Sequence, residues 1–136
     1  MVRTSLLALA VAGSAAAQDT GGIAVDLNRL DPVDTGCRLT FVVDNGLAPL
    51  TTLALETVLF DRAGRVAALT LFDFAELPQG TRRVRQFDVA GIGCTDVAQV
   101  LINGVAACTG DSSTAAAPCA QALRVTGSVD DVEVLQ

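Results

Sequence analysis

From Ile23 onward the chain is cut by turn residues about every ten positions into short segments of alternating apolar and polar residues. That rhythm suits a β-sandwich or barrel, and it leaves no stretch with long helical periodicity. Ile23, Val25 and Leu27 alternate with small or polar neighbours as far as Asp31-Pro32. A proline there would break a central ladder, so this segment reads as a first, edge-lying strand. In the next segment Cys37, Leu39, Phe41 and Val43 share one face. Arg38, Thr40 and Asp44 take the other, with Val42 the exception. Asn45-Gly46, residues that tolerate positive φ, close that strand, and Pro49 lengthens the connection enough to suit a change of sheet.

The clearest local unit follows. Residues 53–60 and 65–72 flank Asp61-Arg62-Ala63-Gly64, where Asp in the first position and Gly in the fourth predict a hairpin with a type I turn and a glycine bulge. Leu77-Pro78-Gln79-Gly80 is a further turn before a strand over 82–89, and Gly91-Ile92-Gly93-Cys94 is a corner leading into one helical turn at 95–98. The apolar run 100–107 contains Asn103-Gly104, which is either a hairpin turn or, the favoured choice, a bulge in one long strand. Residues 122–129 make another strand, and 130–136 add an edge strand or fray. Residues 114–118 are of low complexity. The expected fold is all-β, an Ig-like or Greek-key antiparallel sandwich of about seven strands.

Ahead of this body lie Arg3, an apolar run from Leu6 to Gly13, and small residues ending in Ala15-Ala16-Ala17. This is the pattern of a cleavable Sec-type signal peptide over 1–17, leaving 18–136 as a single domain. The leader has no twin arginine and no cysteine after its cut. Its apolar run is far shorter than the roughly 20 residues a membrane helix needs, and no later segment approaches that length, so no membrane span is expected. The expected location is periplasmic or secreted.

Four cysteines follow the leader, Cys37, Cys94, Cys108 and Cys119. An even number in an oxidising compartment implies two disulfides. Of the three possible pairings, Cys108 with Cys119 is favoured because the two bracket the turn-rich stretch 109–114, which leaves Cys37 with Cys94. No C-x-x-C pair is present, which argues against a zinc site or a redox dithiol.

The residue inventory excludes more than it selects. The chain has no His, Trp or Tyr, its nine basic residues are all Arg, and its one Met is Met1. The usual general base, the Schiff-base amine and the common haem and copper ligands are therefore missing. Carboxylates remain. Asp26, Asp31 and Asp34, or Asp130, Asp131 and Glu133, are candidate calcium ligands, but neither set has EF-hand spacing, and both read first as solvated surface. Without Arg3, eight Arg face 15 Asp and Glu, a formal charge of −7 that disfavours nucleic acid and anionic lipid. Arg82, Arg83 and Arg85 form the only basic cluster. On a strand Arg83 and Arg85 share a face, either to clamp an anion on a partner or to keep an edge soluble. Five Phe (41, 60, 72, 74 and 87) are expected mainly in the core.

Leu27-Asn28-Arg29-Leu30, Cys37, Asn45, Leu59-Phe60-Asp61 with Gly64, Phe87-Asp88, Cys94, Leu101-Ile102-Asn103 and Cys108 resemble a group of small exported bacterial proteins labelled "Tat pathway signal sequence domain" proteins. The strand rhythm is also similar to Ig-like sandwiches of bacterial envelope proteins. The resemblance implies export and carries no activity, substrate or catalytic residue. The expected function is a non-catalytic exported module, without a cofactor, that binds or supports another cell-envelope protein. The alternative is a small-ligand or calcium binder built on the clustered carboxylates.

Overall fold

The computed structural model describes residues 21–110 and 116–136; the leader at 1–17 and residues 111–115 of the 109–118 loop lie outside the described residues. Eight strands follow one another as β1 (Ile23–Val33), β2 (Gly36–Asn45), β3 (Leu50–Asp61), β4 (Val66–Asp73), β5 (Arg82–Ala90), β6 (Val97–Gly110), β7 (Leu123–Gly127) and β8 (Glu133–Leu135). A 3-10 turn at Cys94–Asp96 precedes β6, and a short helix α1 (Ala116–Ala122) precedes β7. They form two four-stranded sheets, sheet A in the order β5-β2-β1-β7 and sheet B in the order β4-β3-β6-β8. The inner faces meet in one core that takes Ile23, Val25, Leu27, Leu39, Phe41 and Val43 from sheet A and Leu53, Leu55, Leu59, Phe72, Val100 and Ile102 from sheet B. This is a sandwich built on the period-two alternation of the sequence.

The hairpin at 61–64 forms as expected. Gly64 has φ +77°, its N–H donates to the Asp61 carbonyl at 3.0 Å, and the Asp61 carboxylate accepts from the Ala63 and Arg65 N–H groups, each at 2.9 Å. Asn103-Gly104 is a bulge: Glu56 opposes Gly104 while Thr57 opposes Ile102, so Asn103 has no backbone partner on β3 and β6 runs on unbroken. The Asn103 amide instead donates to the Glu56 carboxylate.

Four expectations change. First, β1 is not an edge strand; it lies between β2 and β7. Pro32 is tolerated because β7 pairs only with Ile23–Leu27, leaving the far end of β1 without a second neighbour. Second, the sheets are mixed: β7 runs parallel to β1 and β8 parallel to β6. The chain leaves sheet B at the end of β6 and enters sheet A through α1, so β7 starts level with the start of β1. Third, α1 falls where the sequence showed an Ala-rich patch too short for a helical period to register. Fourth, Asn45 and Gly46 turn the chain without positive φ. The buried Asn45 amide donates to the Ala48 and Leu77 carbonyls, at 3.2 and 2.9 Å, and accepts from the Leu47 N–H at 2.9 Å. Gly46 is needed for space, since a Cβ there would press on the Gly22 carbonyl at 2.9 Å.

Both disulfides link separate elements. Cys37 on β2 bonds Cys94 in the 3-10 turn, tying sheet A to the start of β6 in sheet B. Cys108 on β6 bonds Cys119 of α1 and so anchors the crossover into sheet A. These are the pairings that the cysteine spacing favours. Four of the five Phe cluster: Phe41 meets Phe72, Phe74 and Phe87 edge-on at 5.8, 5.5 and 6.0 Å, and Phe72 stacks on Phe87 at 4.2 Å.

Candidate protein-binding surface

The arginines of β5 divide by role. Arg82 grips Asp44 on the neighbouring β2, with Nε–Oδ1 at 3.1 Å and Nη2–Oδ2 at 3.1 Å. Arg85 donates to the Phe74 carbonyl at 2.7 Å and the Glu76 carbonyl at 2.8 Å, pinning the loop that leads from β4 back to β5. Its fork is spent on the fold. Among the described residues Arg83 donates only to the Arg82 carbonyl, at 3.2 Å, leaving most of its fork without an acceptor there. Arg83 and Arg85 share one face, as the strand period predicts, but the three do not converge on one anion site. With Asp88 they make β5 a charged edge strand, the usual protection against strand pairing.

The acidic sets are likewise dispersed. Among the described residues no three Asp, Glu or Cys side chains form a group that could hold a metal ion. Asp26 accepts from the Thr126 hydroxyl at 2.8 Å and the Ser128 hydroxyl at 2.9 Å, which fastens β7 to β1. Asp31 pairs with Arg29 at 2.8 Å, and Glu133 accepts from the Gln99 amide at 2.9 Å. An open groove of about 530 Å3 runs past Asp61, Arg62, Gln99, Asp131 and Glu133. Its central cation, Arg62, donates to the Thr95 carbonyl at 3.1 Å and the Asp131 carbonyl at 2.9 Å. Arg62 thereby locks the turn in which Asp131 takes φ +62°.

On sheet A the Arg38 guanidinium donates to both Asp88 oxygens, at 2.7 and 2.9 Å. Those hydrogen bonds hold the Asp88 carboxyl below its ordinary value. A depressed folded-state value contributes stability above the unfolded carboxyl range, and that contribution is lost as pH falls through the folded value. Asp88→Asn is therefore expected to lower the melting temperature slightly at pH 7 and to flatten the acid limb below about pH 4. Melts of both proteins between pH 2.5 and 7 check this; parallel curves would show that the pair contributes nothing.

Sheet B presents a different surface. Among the described residues four large hydrophobic side chains are mostly exposed: Val66 (59 %), Leu69 (64 %) and Leu71 (55 %) lie on β4, an edge strand, and Val84 lies among the arginines of β5. Ala68 and Phe72 face the core, so Leu69 and Leu71 point outward from the sheet. Leu69 opposes Val58 of β3, Val58 opposes Leu101 of β6, and Leu101 opposes Leu135 of β8. An unbroken apolar row thus crosses the outer face of all four strands. The row escapes a reading of the sequence because both parities of β4 are apolar, so the hairpin pattern alone does not say which leucines are exposed. A usable signal is present in the charge-free run from Val66 to Phe72.

No family model matches the chain, and neither a curated protein nor a solved structure shows significant similarity to it. Among the described residues no helix is long and apolar enough to cross a membrane.

Proposed function

We propose that this chain is a non-catalytic, exported binding module that engages another protein of the cell envelope through the β4 edge and the outer face of sheet B. The observation that carries this reading is the concentration of exposed apolar side chains on one edge strand that carries no charge from Val66 to Phe72, with an apolar row behind it. Past the bulge at Ala67 the edge runs from Ala68 to Phe72 without charge or proline, and such a stretch supports recognition by strand addition. The edge strand of sheet A on the same side, β5, is charged, so the two neighbouring edges differ, one adhesive and one protected. Export is supported by the leader pattern and the two disulfides, which belong to an oxidising compartment. Resemblance to Ig-like envelope modules agrees with a scaffold role.

The test places a photo-reactive residue at position 69 or, as the matched control, at position 84 in the intact cell envelope. Position 69 is expected to give crosslinked protein and position 84 little or none, although both side chains are more than half exposed. Equal yields at the two sites would defeat the reading. So would turnover of a substrate by the purified protein that a single carboxylate substitution abolishes.

A further inference from the structure

We infer that the segment of the envelope partner seated on the β4 edge is an extended strand with apolar residues at alternate positions and a lysine or arginine among them on the same face. This rests on the proposed reading of β4 as the recognition edge and names the chemistry of what fills it.

The backbone of β4 fixes where such a strand pairs. In an antiparallel ladder, hydrogen-bonded and non-hydrogen-bonded residue pairs alternate. The Phe74 N–H donates to the Leu53 carbonyl at 2.7 Å, so Phe72, Thr70 and Ala68, at every second position before it, turn their N–H and C=O groups toward β3. Leu69, Leu71 and Asp73 turn theirs to the open edge. This stretch lies past the bulge at Ala67 and offers a partner strand a regular ladder. The same three residues carry their side chains on the outer face of sheet B, and all three are exposed. Partner residues opposite them share that face, where Leu69 and Leu71 call for apolar neighbours.

Charge sets what accompanies them. The strands of sheet B carry Glu56, Asp61, Asp73 and Glu133 and no arginine, whereas those of sheet A carry Arg29, Arg38, Arg82, Arg83, Arg85 and Arg124. Arg62 and Arg65 belong to the hairpin loop on the far side of the bulge. Glu56 lies directly opposite Leu71, and Asp73 is the next residue on that face of β4, so two carboxylates flank Leu71. Each accepts one hydrogen bond, Glu56 from the Asn103 amide and Asp73 from the Ala75 N–H, and each keeps lone pairs for a cation. A cation on the outer face of an added strand is attracted there, and an anion is repelled. The inner side has the opposite sign. Phe72 stacks on Phe87 at 4.2 Å, and Arg85, on the same face of β5 as Phe87, donates to the Phe74 carbonyl at 2.7 Å. A cation turned inward meets that guanidinium.

Short peptides of alternating valine and threonine are the probes: one with a lysine in the valine set, one with a glutamate there, and one with the lysine in the threonine set. Because a slip of one residue would turn the valines to the wrong face, the two lysine peptides present their charge on opposite sides of the sheet. Wild-type protein is expected to bind the first about five-fold more tightly than either of the others, read by fluorescence anisotropy at low salt. Glu56→Gln with Asp73→Asn, which keeps an acceptor oxygen at both positions, is expected to bind the first two peptides equally, and Glu56→Lys with Asp73→Asn to prefer the glutamate peptide. Misfolding cannot produce that reversal. Equal binding of all three peptides by the wild type, or binding of none, overturns the cationic strand. So do crosslinks from position 69 in the intact envelope that join a second copy of this chain, or a segment of another protein without lysine or arginine. The last result leaves the binding-module reading standing, whereas the absence of any crosslink removes both.

Discussion

Replacing Cys37 and Cys94 together by alanine is expected to cost about 4 kcal/mol, the chain-entropy value for releasing a loop of this length. The two cysteines are 57 positions apart, and their bond ties β2 to the entry of β6. Cys37 is fully buried beside the core, so alanine also leaves a small cavity. Against a total stability on the order of 5 to 15 kcal/mol, this takes a large share and lowers the melting temperature by roughly 20 °C. The Cys108–Cys119 bond closes a much shorter loop and is worth about 3 kcal/mol by the same reasoning. Urea melts of the oxidised wild type and the two double variants give the ranking. If removing the short-loop bond costs more than removing the long-loop bond, loop entropy is not what these bonds contribute.

Phe41→Ala is expected to cost about 3 to 5 kcal/mol. Phe41 is fully buried and meets three other rings edge-on, joining β2 of sheet A to β4 of sheet B and to the Phe74 segment beyond it. Deleting it leaves Phe72 and Phe87 stacked on each other over a void that neither sheet can collapse to fill. Phe60 is the natural control, since it is partly exposed and lies outside the ring cluster; Phe60→Ala is expected to cost less than half as much. Equal losses in chemical denaturation would mean that the ring cluster is not the centre of the core.

Much of the fold was legible in the sequence where one residue does one job. The 61–64 turn, the inward face of β2 and the Asn103 bulge each follow from local chemistry: an Asp and a Gly at fixed turn positions, a period of two, and an Asn-Gly pair inside an apolar run. The sequence reading failed where the deciding neighbour lies far along the chain. Pro32 marked an edge strand only until β7, some 90 residues later, turned out to cover just half of β1. The arginines of β5 could be assigned a shared face but not their acceptors, because Asp44, Phe74 and Glu76 become neighbours only on folding. The apolar row is the plainest case. Leu69, Val58, Leu101 and Leu135 belong to four segments, and only the strand register sets them side by side.

The central structural contrast is between two edge strands on the same side of the sandwich. β5 carries Arg82, Arg83, Arg85 and Asp88, whereas β4 carries no charge from Val66 to Phe72. Proteins whose edges stay solvated use charges, prolines or bulges to prevent pairing. β4 has one bulge, at Ala67 opposite Leu59 and Phe60, but neither charge nor proline from Val66 to Phe72, and beyond the bulge it adds outward leucines that favour a partner strand.

Amide hydrogen exchange, measured on the purified protein and on the protein in the intact cell envelope, tests this contrast most directly. A β4 edge engaged by another envelope protein predicts slower exchange in the envelope than in the purified protein for the Val66–Asp73 amides that point away from β3, loss of that slowing in Leu69→Arg, and fast exchange along the outward side of β5 in both. Equal exchange of the β4 amides in the two preparations would contradict it.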